Sequence, residues 1–232
     1  MAHTKKLPIS MTDREKRLGF GYLLLDLFIL PALLTAMNQR LAVPLSGAWT
    51  NFLYFSLNFL FLAVIFSRFL KRSLMFAGQH IWDFFLAVIP GFLLYWVSNV
   101  LLSAGILWLY PNFSNINDGS IAQMTEGNFV IVAIGTVLLV PMAEELLHRG
   151  LVFGSLHRKN RAAAYMISML FFAAIHVLGY LGSHDSMSLF LSFVQYLPAG
   201  LILAWAYEKS GCIFAPIAIH TVINAMGIYA LR

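Results

Sequence analysis

The stretch PMAEELLHRG, Pro141 to Gly150, sets Glu144, Glu145, His148 and Arg149 inside a run that is otherwise apolar from Phe129 to Phe153. At bilayer depth the two glutamates and the arginine would together cost roughly 7 to 10 kcal/mol if they faced lipid, so they must pair or line a cavity. On a helix Glu145 and Arg149 lie four residues apart on one face, glutamate first, the favourable order for an ion pair. Glu144 is turned about 100° from its neighbour. The two glutamates therefore divide: Glu145 has a partner, and Glu144 is free to face a site.

Two further apolar runs carry polar pairs at the same spacing. FFAAIHVLGY has Phe172 and His176 four apart, and PIAIHTVINAM has His220 and Asn224 four apart, each pair on one helical face. A single histidine on an apolar helix is usually a satisfied core residue. Three helices that each carry such groups point instead to a shared water-filled pocket, the environment in which they are tolerated. No serine or cysteine stands beside a histidine as an activated nucleophile, and Cys212 has no base at hand, so covalent catalysis is not suggested. The chemistry left is activation of water: a carboxylate in a dry pocket is a stronger base than one in water, and a histidine can share or relay its proton. Histidine and asparagine side chains also suit donation to an oxyanion. A rival assembly takes Glu144, His176 and His220 as three zinc ligands with water in the fourth position, although the compact H-E-x-x-H helix of zinc proteases is missing. Pro141 precedes Glu144 by three residues and Pro216 precedes His220 by four. Each either loosens its helix to admit a substrate or reflects the higher proline content of membrane helices.

The elements that must hold these groups are membrane helices. The chain is 60% hydrophobic and 11% charged over 232 residues, far from the roughly 25% charged residues of a soluble domain. The expected fold is an all-α polytopic membrane protein, a single bundle of seven helices, or eight if one element escapes hydropathy. The expected spans run near Leu18 to Met37, Trp49 to Phe69, Phe84 to Leu109, Phe129 to Phe153, Ala162 to Tyr180, Leu189 to Tyr207 and Ile213 to Leu231. This divides the chain into an N-terminal cytoplasmic segment (1–17), helices without motif (18–127) and a motif-bearing core (128–232). The first span, which contains Asp26 and Pro31, lacks a small-residue cleavage site and reads as uncleaved. Asp26 and Asp83 have no partner at a recognisable spacing and are expected at helix ends or in the bundle interior. Trp82, Trp96, Trp108 and Trp205 are expected mostly as lipid-facing or interfacial anchors.

Of the 15 lysines and arginines, 13 fall on one side of this topology, and only Arg40 and Arg232 on the other. Basic flanks stay in the cytoplasm, which places the N-terminus inside and the C-terminus outside. The formal charge of +5 lies beside hydrophobic segments rather than in a polar block, so it speaks for membrane orientation and not for nucleic acid. The single cysteine excludes a disulfide within the chain.

EELLHR, FAAIH and HTVIN fit the patterns E-E-x-x-x-R, F-x-x-x-H and H-x-x-x-N in that order, within 81 residues from Glu144 to Asn224. Together they resemble the CAAX protease and bacteriocin-processing family of intramembrane endopeptidases, also called the Abi family. The resemblance implies Glu144 as the water-activating base with His176, Glu145 and Arg149 as a supporting pair, and His220 and Asn224 at the oxyanion. It implies no cofactor, with zinc as the alternative some family descriptions favour. The implied partners are the lipid bilayer and a membrane-associated protein or hydrophobic peptide, cut at a site open to the cytoplasmic side of a bacterial plasma membrane. Well-characterised relatives have eight helices against the seven expected here, and the first three spans carry no motif. Two other functions fit the same residues: a non-catalytic immunity or scaffold protein of this fold, and a proton-coupled transporter using buried Glu and His.

Overall fold

A computed structural model describes residues 7–231, so residues 1–6 of the expected cytoplasmic segment, and Arg232, lie outside the described residues. Among the described residues all regular structure is helical, as expected. The helices are α1 (Asp13–Phe28), α2 (Leu30–Asn38), α3 (Gly47–Ile65), α4 (Ser67–Gln79), α5 (Ile81–Leu109), α6 (Ile116–Thr125), α7 (Phe129–His157), α8 (Arg161–Leu178), α9 (Ser186–Ser210) and α10 (Phe214–Ala230).

Five of these, α3, α5, α7, α8 and α9, are long and apolar enough to cross a membrane, and α1 with α2 would make a sixth. The chain is an integral multi-pass membrane protein. The first expected span is bent by 44° between α1 and α2. Pro31 stands just past the bend and has no N–H to continue the α1 ladder. The seventh expected span is α10, whose 17 residues fall short of the others and reach about 25 Å at 1.5 Å per residue.

Two elements differ from the hydropathy reading. The second expected span stops at Ile65, and Phe69 already belongs to α4, an amphipathic helix that buries Phe69, Ser73 and Ala77. The connection after α5 also holds a helix, α6, capped by the Asn115 side chain, which accepts from the backbone of Asn117 and Asp118. Both are too short and polar to register as spans.

One end of the bundle gathers the N-terminal segment, α4, the α7–α8 connection and the α9–α10 connection. Thr12 and Glu15 form a capping box at the start of α1, and Glu15 also accepts from the backbone N–H of Phe69 at 2.8 Å. Arg72 donates to the Ser10 carbonyl at 2.8 Å and stands 3.6 Å from Glu15. Ile213 N–H donates to Ser73 Oγ at 3.0 Å. Gly211 ends α9 in the left-handed conformation (φ 67°), and a side chain there would strike Pro8. Leu62, Phe66, Phe69, Leu146, Leu151, Phe153 and Ile213 fill this end as its core. Arg158, Lys159 and Arg161 lie at the same end as Arg68, Lys71, Arg72 and Lys209, whereas Arg149, counted on the same side, is buried inside the bundle.

Between membrane helices there is little hydrophobic drive, so close packing relies on small residues. At Gly200 of α9 an added Cβ would lie 2.8 Å from the backbone Cα of Met169 on α8. The outward faces carry the bulky apolar side chains, Trp82, Trp108 and Val64 among the most exposed. Trp96 is also exposed, as expected for a lipid-facing anchor, whereas Trp205 packs beside the cluster around Phe172, Leu203 and Ile219. Asp26 is buried and accepts from Tyr54 Oη at 2.8 Å, while Asp83 sits in the first turn of α5.

Candidate functional site

The motif-bearing stretch of α7 is not a regular α-helix. Gly135–Leu139 and Leu146–Phe153 are wide π-turns, and the glutamates sit between them on Val140–Glu145. Such turns are uncommon and recur at functional sites. In the first of them the Val140 N–H reaches the Gly135 carbonyl, five residues back. Continued at that spacing, the next N–H would pair with Thr136 O, but that residue is Pro141, which has none. The freed carbonyl instead accepts from Asn224 Nδ2 of α10 at 2.8 Å. Pro141 thus creates the acceptor that anchors Asn224. Pro216 does something simpler, since it lies in the first turn of α10, where a missing N–H breaks no helical bond.

Glu145 and Arg149 form the expected pair: Arg149 Nη1 donates to Glu145 Oε1 at 2.9 Å, with both side chains fully buried. Burial of two charges requires further partners. Arg149 finds them on α9 and α8: Nη2 donates to Gly200 O at 3.2 Å and more weakly to Ala199 O, and the guanidinium lies 4.3 Å over the Phe172 ring. The same Glu145 Oε1 meets His220 Nδ1 at 2.9 Å. A carboxylate oxygen in a charge pair only accepts, so Nδ1 carries the proton and Nε2 is the nitrogen left for chemistry.

Glu144 points elsewhere. Its Oε2 is buried without a hydrogen-bond partner among the described residues and lies 3.9 Å from His176 Nε2. His176 Nδ1 contacts the Phe172 carbonyl at 2.8 Å; a carbonyl cannot donate, so Nδ1 holds the proton and Nε2 turns its lone pair toward Glu144. The two acceptors, 3.9 Å apart, have no hydrogen to share with each other.

Phe172 is the hub of the arrangement. Its ring supports Arg149 and stands edge-on to His220 and His148, and its carbonyl orients His176. Five of the six expected residues thus meet around α7, α8 and α10, in two units: Glu144 with His176, and Glu145 with Arg149 and His220. Asn224 stands apart on Thr136, with the second hydrogen of its amide uncommitted among the described residues.

Sequence reasoning assigned no role to three further residues. His148 is buried edge-on against Phe171 and Phe172, its Nδ1 without a hydrogen-bond partner. Tyr196 of α9 stacks on the His176 ring. Glu208, at the basic end, binds His157 Nε2 at 2.8 Å, Arg161 at 2.7 and 2.9 Å, and the Tyr165 hydroxyl, which clamps α7, α8 and α9 together. His148 was visible inside the motif itself; Tyr196 and Glu208 lie in a helix whose sequence has no motif to mark them.

The zinc alternative needs Glu144, His176 and His220 around one point. His220 is held on Glu145 instead, and among the described residues no group of three His, Cys, Asp or Glu is placed to hold a metal ion. The residues as arranged do not fit a zinc centre, and no step below is routed through one.

Residues 126–226 match the family of type II CAAX prenyl endopeptidase Rce1-like proteins. A curated relative, the UPF0177 protein YxdF of Lactococcus lactis subsp. lactis (strain IL1403), is 30% identical over 95 residues, which is 41% of this chain and 47% of the relative. The chain therefore spans about half the length of the curated relative it matches. No solved structure matches the chain.

Proposed function

We propose that this chain, whose residues 126–226 match the type II CAAX prenyl endopeptidase Rce1-like family, is an intramembrane endopeptidase that hydrolyses a peptide bond of a membrane-associated protein or hydrophobic peptide. The observation that carries this reading is the buried, unpartnered Glu144 Oε2 facing His176 Nε2 at 3.9 Å.

A water held between these two acceptors loses a proton to the Glu144 carboxylate as its oxygen attacks the scissile carbonyl carbon, forming the C–O bond. His176 orients that water and shares its second hydrogen. The carbonyl electron pair moves to oxygen, where donors are needed. His220, held on Glu145 through Nδ1, is proposed to face that oxygen with its other ring nitrogen. Asn224, fixed through Thr136, stands next on the same helix face with one N–H to offer. As the oxyanion collapses, the C–N bond breaks and the leaving nitrogen takes the proton from Glu144.

The basic end of the bundle is taken as cytoplasmic, which puts α6 on the outer side. There α6 covers the His176 side of the site, so the reading favours approach from the cytoplasm. The relative from Lactococcus supports a bacterial plasma membrane as the setting.

The test is mass spectrometry of membrane peptides from cells and proteoliposomes bearing wild type or Glu144→Gln, with a chelator in parallel. Cleavage products should depend on Glu144 and be insensitive to chelation. Equal cleavage by the variant would end the proposal, and chelator sensitivity would replace its water-activation step.

A further inference from the structure

Tyr196 lies on the face of α9 that meets both α6 and His176. Its ring is stacked on the His176 imidazole, with centroids 4.0 Å apart and planes 25° from parallel. Its hydroxyl is engaged on the other side by the connector helix: Asn117 Nδ2 donates to it at 3.0 Å, and it donates to Asp118 Oδ1 at 3.1 Å. The same connector is pinned to α9 at two further points just before this contact. Asn115 Nδ2 donates to Gln195 Oε1 at 2.7 Å, and the Ile116 N–H donates to Ser192 Oγ at 3.2 Å. Ser192, Gln195 and Tyr196 are spaced three and four apart, one face of a helix. α6 is therefore fastened along that face, with Tyr196 between it and the histidine.

Apart from Tyr196, His176 is held from the preceding turn of its own helix: Nδ1 bonds Phe172 O at 2.8 Å, and the Phe172 ring lies against it at a tilt of 51° with centroids 4.6 Å apart. The direction of Nε2 toward Glu144 depends on the plane of the ring, and a large parallel ring against one face sets that plane. Aromatic pairs prefer particular mutual orientations, so a stacked neighbour favours one plane of the imidazole over others.

We infer that Tyr196, braced by α6, is a positioning residue that sets the His176 ring so that Nε2 faces Glu144. This rests on the proposed peptidase reading for its catalytic consequence, but not for its structural content. It also gives a function to α6, which lies before the motif region and carries none of the motif residues.

The experiment combines two readouts on full-length protein in detergent micelles. The first is the ring resonances of histidine-selectively labelled protein, with His176 assigned by His176→Gln. The second is kcat and KM on a cleaved membrane peptide. In wild type the His176 ring protons should show the upfield shift of a stacked ring. Tyr196→Leu should remove that shift and lower kcat about tenfold or more, as expected for a misdirected catalytic group, with KM within about twofold. Tyr196→Phe keeps the ring and should keep the shift and most of kcat, whereas a purely structural tyrosine would be lost equally in both variants. If the shift is absent from wild type or unchanged in Tyr196→Leu, the inference is overturned. If the shift moves but kcat does not, its catalytic consequence is overturned. If the shift moves in a protein that cleaves nothing, the peptidase reading fails and the positioning stands. Should Tyr196→Leu not fold, Tyr196→Met, which keeps bulk without the aromatic ring, should likewise remove the shift, and an unchanged shift there would overturn the inference.

Discussion

Asn224 Nδ2 donates to the carbonyl oxygen of Thr136, 88 positions earlier, at 2.8 Å. The bond exists because Pro141, five residues past Thr136, has no N–H to give it. A proline in a membrane helix is here the reason that a polar side chain of another helix has a fixed address.

Pro141→Ala restores that N–H. The new residue should pair with the α7 backbone and release Asn224. Stability should stay level or rise by on the order of 1 kcal/mol, since a helix-interior proline is costly, while hydrolysis falls. Thermal unfolding in detergent, run beside a cleavage assay, would show the two moving in opposite directions; a parallel loss of both would refute this role for the proline.

The adjacent glutamates should fail differently. Glu144→Gln removes the proposed base and should lower kcat by roughly 10² to 10⁴ with little change in unfolding temperature. Glu145→Gln leaves the fully buried Arg149 without its counter-charge and should cost roughly 3 to 5 kcal/mol. Arg149→Met added to Glu145→Gln should recover part of that loss. A stable, well-folded Glu145→Gln would contradict the structural assignment of the pair.

Gly200→Ala places a methyl 2.8 Å from the Met169 Cα. Backbone cannot step aside as a side chain can, so α8 and α9 must separate, at about 1 to 3 kcal/mol. The carbonyl that receives Arg149 moves with α9. Unfolding temperature and cleavage should therefore drop together, whereas Gly105→Ala, at a site with no neighbour within 4 Å, should change neither.

Glu208→Ala should unfasten the basic end. His157, Arg161 and Tyr165 lose their common acceptor, and a buried histidine left unpaired costs about 1 to 3 kcal/mol. The clamp is remote from Glu144, so the folded fraction should retain its kcat. A drop in kcat without a drop in stability would show that this end communicates with the site.

Much of this was legible in the chain itself. The apolar runs located the five helices long enough to cross and the bent α1–α2 pair, because a bilayer imposes a length on any helix that spans it. The division of labour between Glu144 and Glu145 followed from the 100° step of a helix and the four-residue spacing of Glu145 and Arg149, and the structure shows Arg149 on Glu145 and Glu144 turned toward His176. What periodicity could not show was anything set between helices. Nothing in HTVIN says that His220 binds Glu145 or that Asn224 takes a backbone carbonyl. α6 has no hydropathy signal, and Tyr196 looks like one more aromatic in an apolar run.

The sequence by itself therefore determined which groups would be buried and which faces they would share, because local geometry and the cost of charge in lipid depend only on neighbours along the chain. The tertiary structure alone decided the partner of each group: His220 for Glu145, His176 for Glu144, Thr136 for Asn224 and Tyr196 for His176. These pairings depend on where helices far apart in sequence come to lie. The close approach of α8 and α9 at Gly200 and the missing N–H of Pro141 are among the features that place them.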